Sequence, residues 1–185
     1  GLGMDNFQTV SENIIKRYSK IVDDSDEFAK SINEPLKQSF RVNTLKAEKE
    51  EVLDKLKTYD SKIEKVKWNN NALVSNFTNL ESCIEHFAGQ IYIQELTSMI
   101  PPLVARDVIK DNRIIDCCAA PGSKTTQMAD LMQNKGHIIA NDSRHRRIKS
   151  LRGNLDRLGV TNTTVSLRDF KSFQNTKAEL YFCLL

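Results

Sequence analysis

Residues 114–125 read IIDCCAAPGSKT, and this stretch decides the fold class. The two isoleucines predict a buried strand that ends at Asp116, and small residues follow the aspartate. Gly122 permits a tight turn, and a helix is predicted to begin near Ser123. In such a turn a ligand can approach the backbone closely and meet the N–H groups that a helix start leaves without intrahelical partners. The stretch therefore predicts a ligand-binding strand–turn–helix unit.

The segments that flank this unit alternate between strand and helix patterns. The predicted strands are Arg113–Asp116, His137–Asn141, Thr163–Leu167 and Leu180–Leu185. The predicted helices are Leu103–Lys110 (directly after Pro101-Pro102), Thr125–Gln133 and Arg144–Leu158. Strands that alternate with helices of this length indicate βαβ units and a parallel sheet. We therefore predict an α/β domain over residues 89–185.

The first half of the chain follows a different pattern and predicts a small α+β domain over residues 1–88. Its predicted helices cover 6–20 and 47–59, and its predicted strands cover 39–43 and 63–68. The second helix carries Val52, Leu53 and Leu56 as an apolar stripe, which is typical of a helix packed on one face.

Composition and charge exclude several classes of protein. The chain has 185 residues, 39% of them apolar, and a net charge of +3, which permits a polyanionic partner without requiring one. Its four cysteines lack the paired spacing of a zinc site, so we expect no metal and a reducing intracellular compartment, cytoplasmic or, in a eukaryote, nuclear or nucleolar. No apolar run approaches the roughly 18 residues that cross a bilayer, and we expect no membrane partner.

Two further aspartates follow the predicted strands at the same edge of the sheet. Asp142 comes twenty residues after Gly122, just past the second strand, and Asp169 lies just past the third. Open α/β sheets bind ligands at the carboxyl ends of their strands, where one acidic side chain suits ribose hydroxyls and another can reach a base. A nucleoside-containing cofactor is therefore predicted. The alternative is that Pro121-Gly122 is a plain turn and Asp142 a helix cap.

The residues of the turn narrow the choice of cofactor. The G-x-G-x-x-G pattern of nicotinamide cofactors is absent, because Cys, Ala and Pro occupy its glycine positions. The Walker pattern fails as well, since Ser123 separates Gly122 from Lys124. A turn without a glycine cradle for pyrophosphate suits S-adenosylmethionine, which carries no phosphate.

Ordered motifs run through most of the chain. They are RVNTL at 41–45, GQIYIQELTS at 89–98, DCCAAPGSKT at 116–125, Asp142 with Arg147, and NLDRLG at 154–159. In this order and spacing they resemble the Sun/nucleolar-protein (NOL/NOP/Sun) family of S-adenosylmethionine-dependent RNA 5-methylcytosine methyltransferases. The resemblance implies a partial Rossmann-like class I methyltransferase sheet preceded by a small α+β domain. It also implies methyl transfer to a cytosine in tRNA or rRNA.

The same resemblance implies a set of cofactor-binding residues. Those that wrap the methionine and ribose portion are Cys118, Ala119, Ala120, Pro121, Gly122, Ser123 and Lys124. Lys124 is expected to pair with the cofactor carboxylate or the adjoining backbone. Asp142 is expected to hold the ribose hydroxyls with support from Arg147, and Asp169 to address the adenine. Phe170 stands where many relatives have a glycine, so the loop after Asp169 is expected to differ.

The family's chemistry requires a cysteine thiolate that adds to carbon 6 of cytosine and a second cysteine that helps to release the product. The resemblance places these in T-C and D-A-P-C motifs, which Cys83, Cys117, Cys118 and Cys183 do not match. We therefore assign no catalytic residue and expect an amino-terminal fragment that does not methylate RNA alone. Its last strand is expected to be an exposed edge that favours self-association. The alternative is a non-catalytic RNA-binding relative that keeps only the cofactor fold.

Other features allow two interpretations each. The predicted helix over 144–158 carries Arg144, Arg146, Arg147, Lys149, Arg152 and Arg157. This helix either faces RNA beside the cofactor edge or is the solvated face of an amphipathic helix. Trp68 and Phe77 either stack on RNA bases or pack in the core. The three histidines share no ligand-like spacing and are expected to be ordinary surface or core residues.

Overall fold

The computed structural model describes residues 12–13, 15–24, 26, 38–59, 62–77, 79–173, 177–178 and 180–182. In this part of the chain the helices are α1 (15–24), α2 (Lys49–Leu56), α3 (Ile84–Phe87), α4 (Leu96–Val104), α5 (Arg106–Ile109), α6 (Ser123–Met132) and α7 (His145–Arg157). The strands are β1 (Gln38–Val42), β2 (Ile63–Lys65), β3 (Ala72–Ser75), β4 (Ile91–Ile93), β5 (Arg113–Asp116), β6 (His137–Asn141), β7 (Thr163–Ser166) and β8 (Leu180–Phe182). The start of the first predicted helix and residues 183–185 lie outside the described residues.

The first sheet is antiparallel, with the strand order β2-β3-β1-β4. Alternate residues of β1, Phe40 and Val42, pack with α2 in one core, while Arg41 between them points to the other face. The sheet takes its fourth strand from residues 91–93, beyond the expected domain boundary after residue 88. The division into two domains stays a prediction.

The second sheet is parallel and has the strand order β7-β6-β5-β8, which confirms the predicted α/β class. Ile114 and Ile138 pack against α6, whereas Ile115 lies in a cluster with Phe173. The adjacent isoleucines of β5 are therefore both buried, as expected for a strand covered on both faces. β8 is the edge strand beside β5 among the described strands.

The predicted helix over 103–110 is wrong in its bounds, although residues 103–104 and 106–109 are helical. The structure has α4 from Leu96 to Val104 with Pro101 and Pro102 inside it, followed by the separate short α5. Proline has no N–H, so the two prolines remove bonds to the carbonyls one turn earlier. The helix persists through them because Met99 is fully buried and Leu103 is 9% exposed, which offsets the lost bonds.

Gly89 lies where the two sheets meet. Its φ is +74°, and a Cβ at this position would lie 1.8 Å from the carbonyl oxygen of Arg157. The Asn43 side-chain amide donates to the carbonyls of Gly89 and Leu158, each at 2.8 Å, and so holds the two backbones together. The close approach therefore depends on the absence of a side chain at residue 89.

We expect Gly89→Ala to lower the free energy of unfolding by at least ~2 kcal/mol, because it combines a strained positive φ with a backbone clash. The matched control is Gly153→Ala in α7, where a Cβ would meet no described atom within 4 Å. That change should stabilise the helix by about 0.5–1 kcal/mol. Urea unfolding of both variants measures the difference, and equal midpoints would contradict the proposed role of Gly89.

Candidate functional site

The predicted strand–turn–helix unit is built by β5, the turn 117–122 and α6. Gly122 adopts a φ of +112°, and a Cβ there would lie 3.1 Å from the Leu151 Cδ1 atom of α7. The Asn154 side-chain amide, also on α7, donates to the Pro121 carbonyl at 2.8 Å. The turn is therefore pressed against α7, and glycine at residue 122 serves both the backbone conformation and this packing.

Asp116 ends β5 and is buried beneath the turn, with 4% exposure. The Thr125 hydroxyl donates to its carboxylate at 2.6 Å. Burial raises the pKa of Asp116 to about 6, although the Thr125 bond and the Lys124 ammonium oppose the shift, and the Asp142 charge adds to it. Asp116 therefore connects the strand to the first turn of α6.

Asp142 follows β6, and its carboxylate reaches back to the turn. One oxygen accepts the Ala120 N–H at 3.3 Å and lies 3.7 Å from Nη1 of Arg147. Nη2 of Arg147 donates to the Ala120 carbonyl at 2.6 Å. The other oxygen accepts the Arg144 N–H at 3.0 Å, which is the kind of contact expected of a residue that precedes a helix. The structure thus brings Asp142 and Arg147 to the turn, and their role toward ribose stays a prediction.

Lys124 lies in the first turn of α6, where its ammonium is 3.1 Å from the Ser98 hydroxyl of α4. The Gln94 amide donates to the same hydroxyl at 3.3 Å and to the Gln127 side-chain oxygen at 3.1 Å. Gln94 and Ser98 both belong to the 89–98 motif. That motif therefore holds the lysine of the turn.

Arg41 had no role assigned from sequence, yet it links the first sheet to the same turn. It is 2% exposed, and its Nε donates to the Gln94 side-chain oxygen at 3.0 Å. Its Nη2 donates to the Ser123 carbonyl at 3.1 Å and to the Thr126 hydroxyl at 3.0 Å. Burial lowers the pKa of Arg41 to about 10, against the opposing effect of the Asp130 carboxylate. An arginine between two apolar residues of a strand was the signal available in the sequence.

Asn141 is a second residue that sequence reasoning missed. It is 1% exposed, and its amide donates to the carbonyls of Cys117 at 3.3 Å and Arg168 at 3.0 Å. Its oxygen accepts the Ser166 hydroxyl and the Arg168 N–H, each at 2.9 Å. Asn141 therefore ties together the carboxyl ends of β5, β6 and β7. A polar residue at the end of an apolar strand was the available signal.

Asp169 is exposed, and its carboxylate accepts the Lys171 N–H at 3.3 Å. No contact described for it reaches the turn or Asp142, so its role toward adenine stays a prediction. Cys118 is exposed in the turn, Cys117 is buried beside it, and Cys83 is buried in the first core. Cys183 lies outside the described residues.

The exposed face of α7 is basic, but it does not include every predicted cation. The exposed members are Arg144, Arg146, Arg147, Lys149 and Arg152. Arg157 is half-buried, its Nη1 donates to the His86 carbonyl at 2.6 Å, and its guanidinium lies 5.8 Å from the Tyr92 ring centroid. Arg157 therefore fits neither interpretation of the basic helix, because its side chain turns inward and joins the end of α7 to α3 and β4.

The described residues contain no group of three or more His, Cys, Asp or Glu side chains placed to hold a metal ion. None of the helices described is both long and apolar enough to cross a membrane.

Protein-family models match both parts of the chain. The N-terminal domain of 16S rRNA methyltransferase RsmF matches residues 10–96, and 16S rRNA methyltransferase RsmB/F matches residues 104–184. A tRNA (cytosine(49)-C(5))-methyltransferase of Pyrococcus abyssi is 39% identical over 178 residues, which cover 93% of this chain and 56% of that protein.

Further relatives agree with these matches. Ribosomal RNA small subunit methyltransferase F of Shewanella denitrificans is 38% identical over 168 residues, covering 86% of this chain and 33% of that protein. The crystal structure of a methyltransferase homologue from Pyrococcus horikoshii is similar with a TM-score of 0.66 at 37% identity, covering 74% of this chain and 45% of that one. This chain thus spans between a third and just over half of the length of the curated relatives.

The raised pKa of Asp116 predicts a pH dependence of stability. An unfolded aspartate titrates near ~3.9, whereas the folded pKa is about 6. The folded state therefore binds more protons between these values, so the free energy of unfolding falls as pH rises from about 4 to about 6. Asp116→Asn keeps an oxygen for the Thr125 hydroxyl and removes the titration, so stability relative to the wild type should rise by roughly 1–3 kcal/mol across this window.

Urea unfolding at a series of pH values measures this difference. The control is Asp169→Asn, which removes a carboxylate from an exposed position instead of a buried one. Parallel profiles for the wild type and Asp116→Asn would show that burial does not shift the titration of Asp116.

Proposed function

Since this chain belongs to the RsmB/RsmF (Sun-domain) family of S-adenosylmethionine-dependent RNA methyltransferases, we propose that the full-length protein methylates carbon 5 of a cytosine in tRNA or rRNA. The observation that carries the proposal is the convergence of the turn 117–122, the start of α6 and Asp142 at the carboxyl edge of the parallel sheet. Ligands bind at this edge in open α/β sheets.

The donor set at this edge fits S-adenosylmethionine. The first N–H groups of α6 have no partners within the helix, and together with the Lys124 ammonium they suit the carboxylate of the methionine portion. The Asp142 carboxylate suits the two ribose hydroxyls. When bound, the cofactor supplies an electrophilic methyl group on a sulfonium centre. The residues we assign to its binding are Cys118, Ala119, Ala120, Pro121, Gly122, Ser123, Lys124, Asp142, Arg147 and Asp169.

The proposal assigns the nucleophilic thiolate to sequence beyond residue 185. Cys83 and Cys117 are buried, and a buried thiol cannot reach carbon 6 of a base. Burial also raises the pKa of Cys83, which disfavours its thiolate. Cys118 is exposed but belongs to the turn that we assign to the cofactor. The chain itself then contributes cofactor and RNA binding.

RNA is the proposed partner of the exposed cations on α7. Four of them lie on α7 and the fifth, Arg144, directly precedes it, so all five follow Asp142 closely and flank the cofactor edge. Their exposure supports a role in binding phosphates. The P. abyssi relative is named for tRNA and the S. denitrificans relative for small-subunit rRNA, so both RNA classes remain substrates to be tested. Such a substrate implies a site of action inside the cell. We also propose that the chain self-associates through the edge strand β8.

We expect Asp142→Asn to lower the affinity for S-adenosylmethionine roughly tenfold, because a neutral amide replaces charge-assisted hydrogen bonds to the ribose. Asparagine keeps an oxygen that can accept the Arg144 N–H, which limits damage to the fold. The control is Asp156→Asn, an exposed aspartate on α7. Calorimetry measures the dissociation constants, and an affinity of Asp142→Asn equal to that of the control would remove Asp142 from the cofactor site.

The proposed reaction is tested by transfer of labelled methyl groups from S-adenosylmethionine to total RNA. The full-length protein should yield 5-methylcytidine after digestion to nucleosides, whereas residues 1–185 alone should yield none. The Cys118→Ser variant of the full-length protein should still form 5-methylcytidine, because the thiol of the turn is not the nucleophile, and any loss should lie in the affinity for S-adenosylmethionine. A different methylated nucleoside would contradict the proposed reaction. Methylation by the 185-residue chain that Cys118→Ser abolishes would instead place the nucleophile in the turn.

A further inference from the structure

A cavity of about 220 Å³ lies between α1, the turn that joins β2 to β3, and the α4–α5 segment. The residues that line it are Arg17, Lys20, Ile21, Asp24, Lys67, Trp68, Leu103 and Arg106. None of them belongs to the candidate cofactor site. The cavity is therefore a separate feature, built from the first part of the chain and the entry to the second sheet.

The rim of the cavity is strongly cationic. Four of its residues carry a positive charge and only Asp24 carries a negative one. Arg17 also forms a 2.7 Å ion pair with Asp107, which lies outside the lining. Lys20 and Arg106 are exposed, so their charges face solvent and can meet an anion. The excess of positive charge favours a phosphate-bearing ligand.

The floor of the cavity is apolar and aromatic. Ile21 is 4% exposed and Leu103 is 9% exposed, so both present carbon surface from a buried position. Trp68 is half-buried, packs against the cluster around Met99, and also lines the cavity. Its indole nitrogen is buried and has no hydrogen-bond partner among the described residues. Trp68 therefore packs in the core on one side and borders the cavity on the other. Core packing and stacking on an RNA base, the two interpretations of this residue, are compatible.

A second cavity of about 330 Å³ shares Arg106 with the first. Its other lining residues are Thr44, Asn71, Asp107, Lys110, Asp130, Leu131 and Gln133. The hydroxyl and amide groups of Thr44, Asn71 and Gln133 can donate and accept hydrogen bonds. The second cavity balances two cations with two carboxylates, so the excess of positive charge belongs to the first cavity.

We propose that the first cavity binds a nucleotide of an unpaired RNA segment, with its base against Trp68 and its phosphate between Lys20 and Arg106. Proteins recognise single-stranded RNA by combining aromatic surfaces for the bases with cations for the backbone. This inference rests on the proposed function in taking RNA as the substrate.

The chain contains a single tryptophan, so its emission reports on Trp68 alone. Titration of the 185-residue protein with a twelve-nucleotide oligocytidylate should quench this emission in a saturable manner. Inorganic phosphate has no base, so when it is added without the oligonucleotide it should leave the emission of Trp68 unchanged. This should hold up to the phosphate concentration that displaces the oligonucleotide in a competition titration. Unchanged emission at saturation, with binding confirmed by the anisotropy of a labelled oligonucleotide, would overturn the proposal.

Charge removal provides the second test. The double variant Lys20→Ala, Arg106→Ala should bind the labelled oligonucleotide about 5- to 20-fold more weakly and should reduce the log–log salt slope by about 1.4, since each lost phosphate contact on a single strand accounts for about 0.7. The matched control is Lys16→Ala, one turn earlier on α1, exposed and outside the cavity lining. The single variant Lys20→Ala should also bind more weakly than Lys16→Ala, and equal losses for these two single variants would indicate general electrostatic attraction and overturn the assigned site.

A third variant separates this proposal from the proposed function. Charge removal at Arg146 and Arg152 on α7 should leave the quenching of Trp68 in place. If only the α7 variant weakens binding while the full-length protein still forms 5-methylcytidine, the cavity proposal fails and the proposed function stands. If the quenching is as expected but no 5-methylcytidine forms, the proposed function fails and the RNA-binding cavity stands.

Discussion

The buried guanidinium of Arg41 belongs to a strand of the first sheet, but most of its partners lie on α6. It donates to the Ser123 carbonyl and the Thr126 hydroxyl at the start of α6, and it lies 4.0 Å from the Asp130 carboxylate at the other end of that helix. A buried charge without such partners is strongly destabilising, by about 3–5 kcal/mol where one member of a pair is removed. The position of α6 against the first sheet is therefore constrained by the need to satisfy this one side chain.

The start of α6 is also the end of the turn that forms the candidate cofactor site, so the first sheet takes part in building that site. Gln94 accepts from Arg41 and donates toward Ser98, and Ser98 contacts the Lys124 ammonium. A continuous set of polar contacts thus runs from β1 to the lysine of the turn. This arrangement explains in physical terms why short motifs at 41–45 and 89–98 accompany the motif at 116–125. They supply the contacts that hold it.

At the carboxyl edge of the parallel sheet, buried polar side chains likewise connect neighbouring elements. Asn141 bonds to the backbone or side chains that follow β5 and β7, while Asp142 bonds to the turn on one side and to the start of α7 on the other. The side chains that we assign to ligand binding are consequently oriented by the fold before any ligand arrives. A site whose supporting contacts are already formed loses little conformational freedom on binding.

The sequence by itself determined the strand–turn–helix unit, the alternation that makes a parallel sheet and the presence of Asp142 at its edge, because backbone period and turn conformation are encoded in neighbouring residues. It did not determine that α4 runs through Pro101 and Pro102, that Arg157 turns inward, or which groups Arg41 contacts. Those outcomes depend on burial and on partners far away in the chain, such as the 82 residues that separate Arg41 from Ser123. A polar residue within an apolar strand predicts that a hydrogen-bond partner exists, but only the tertiary packing decides which group that partner is.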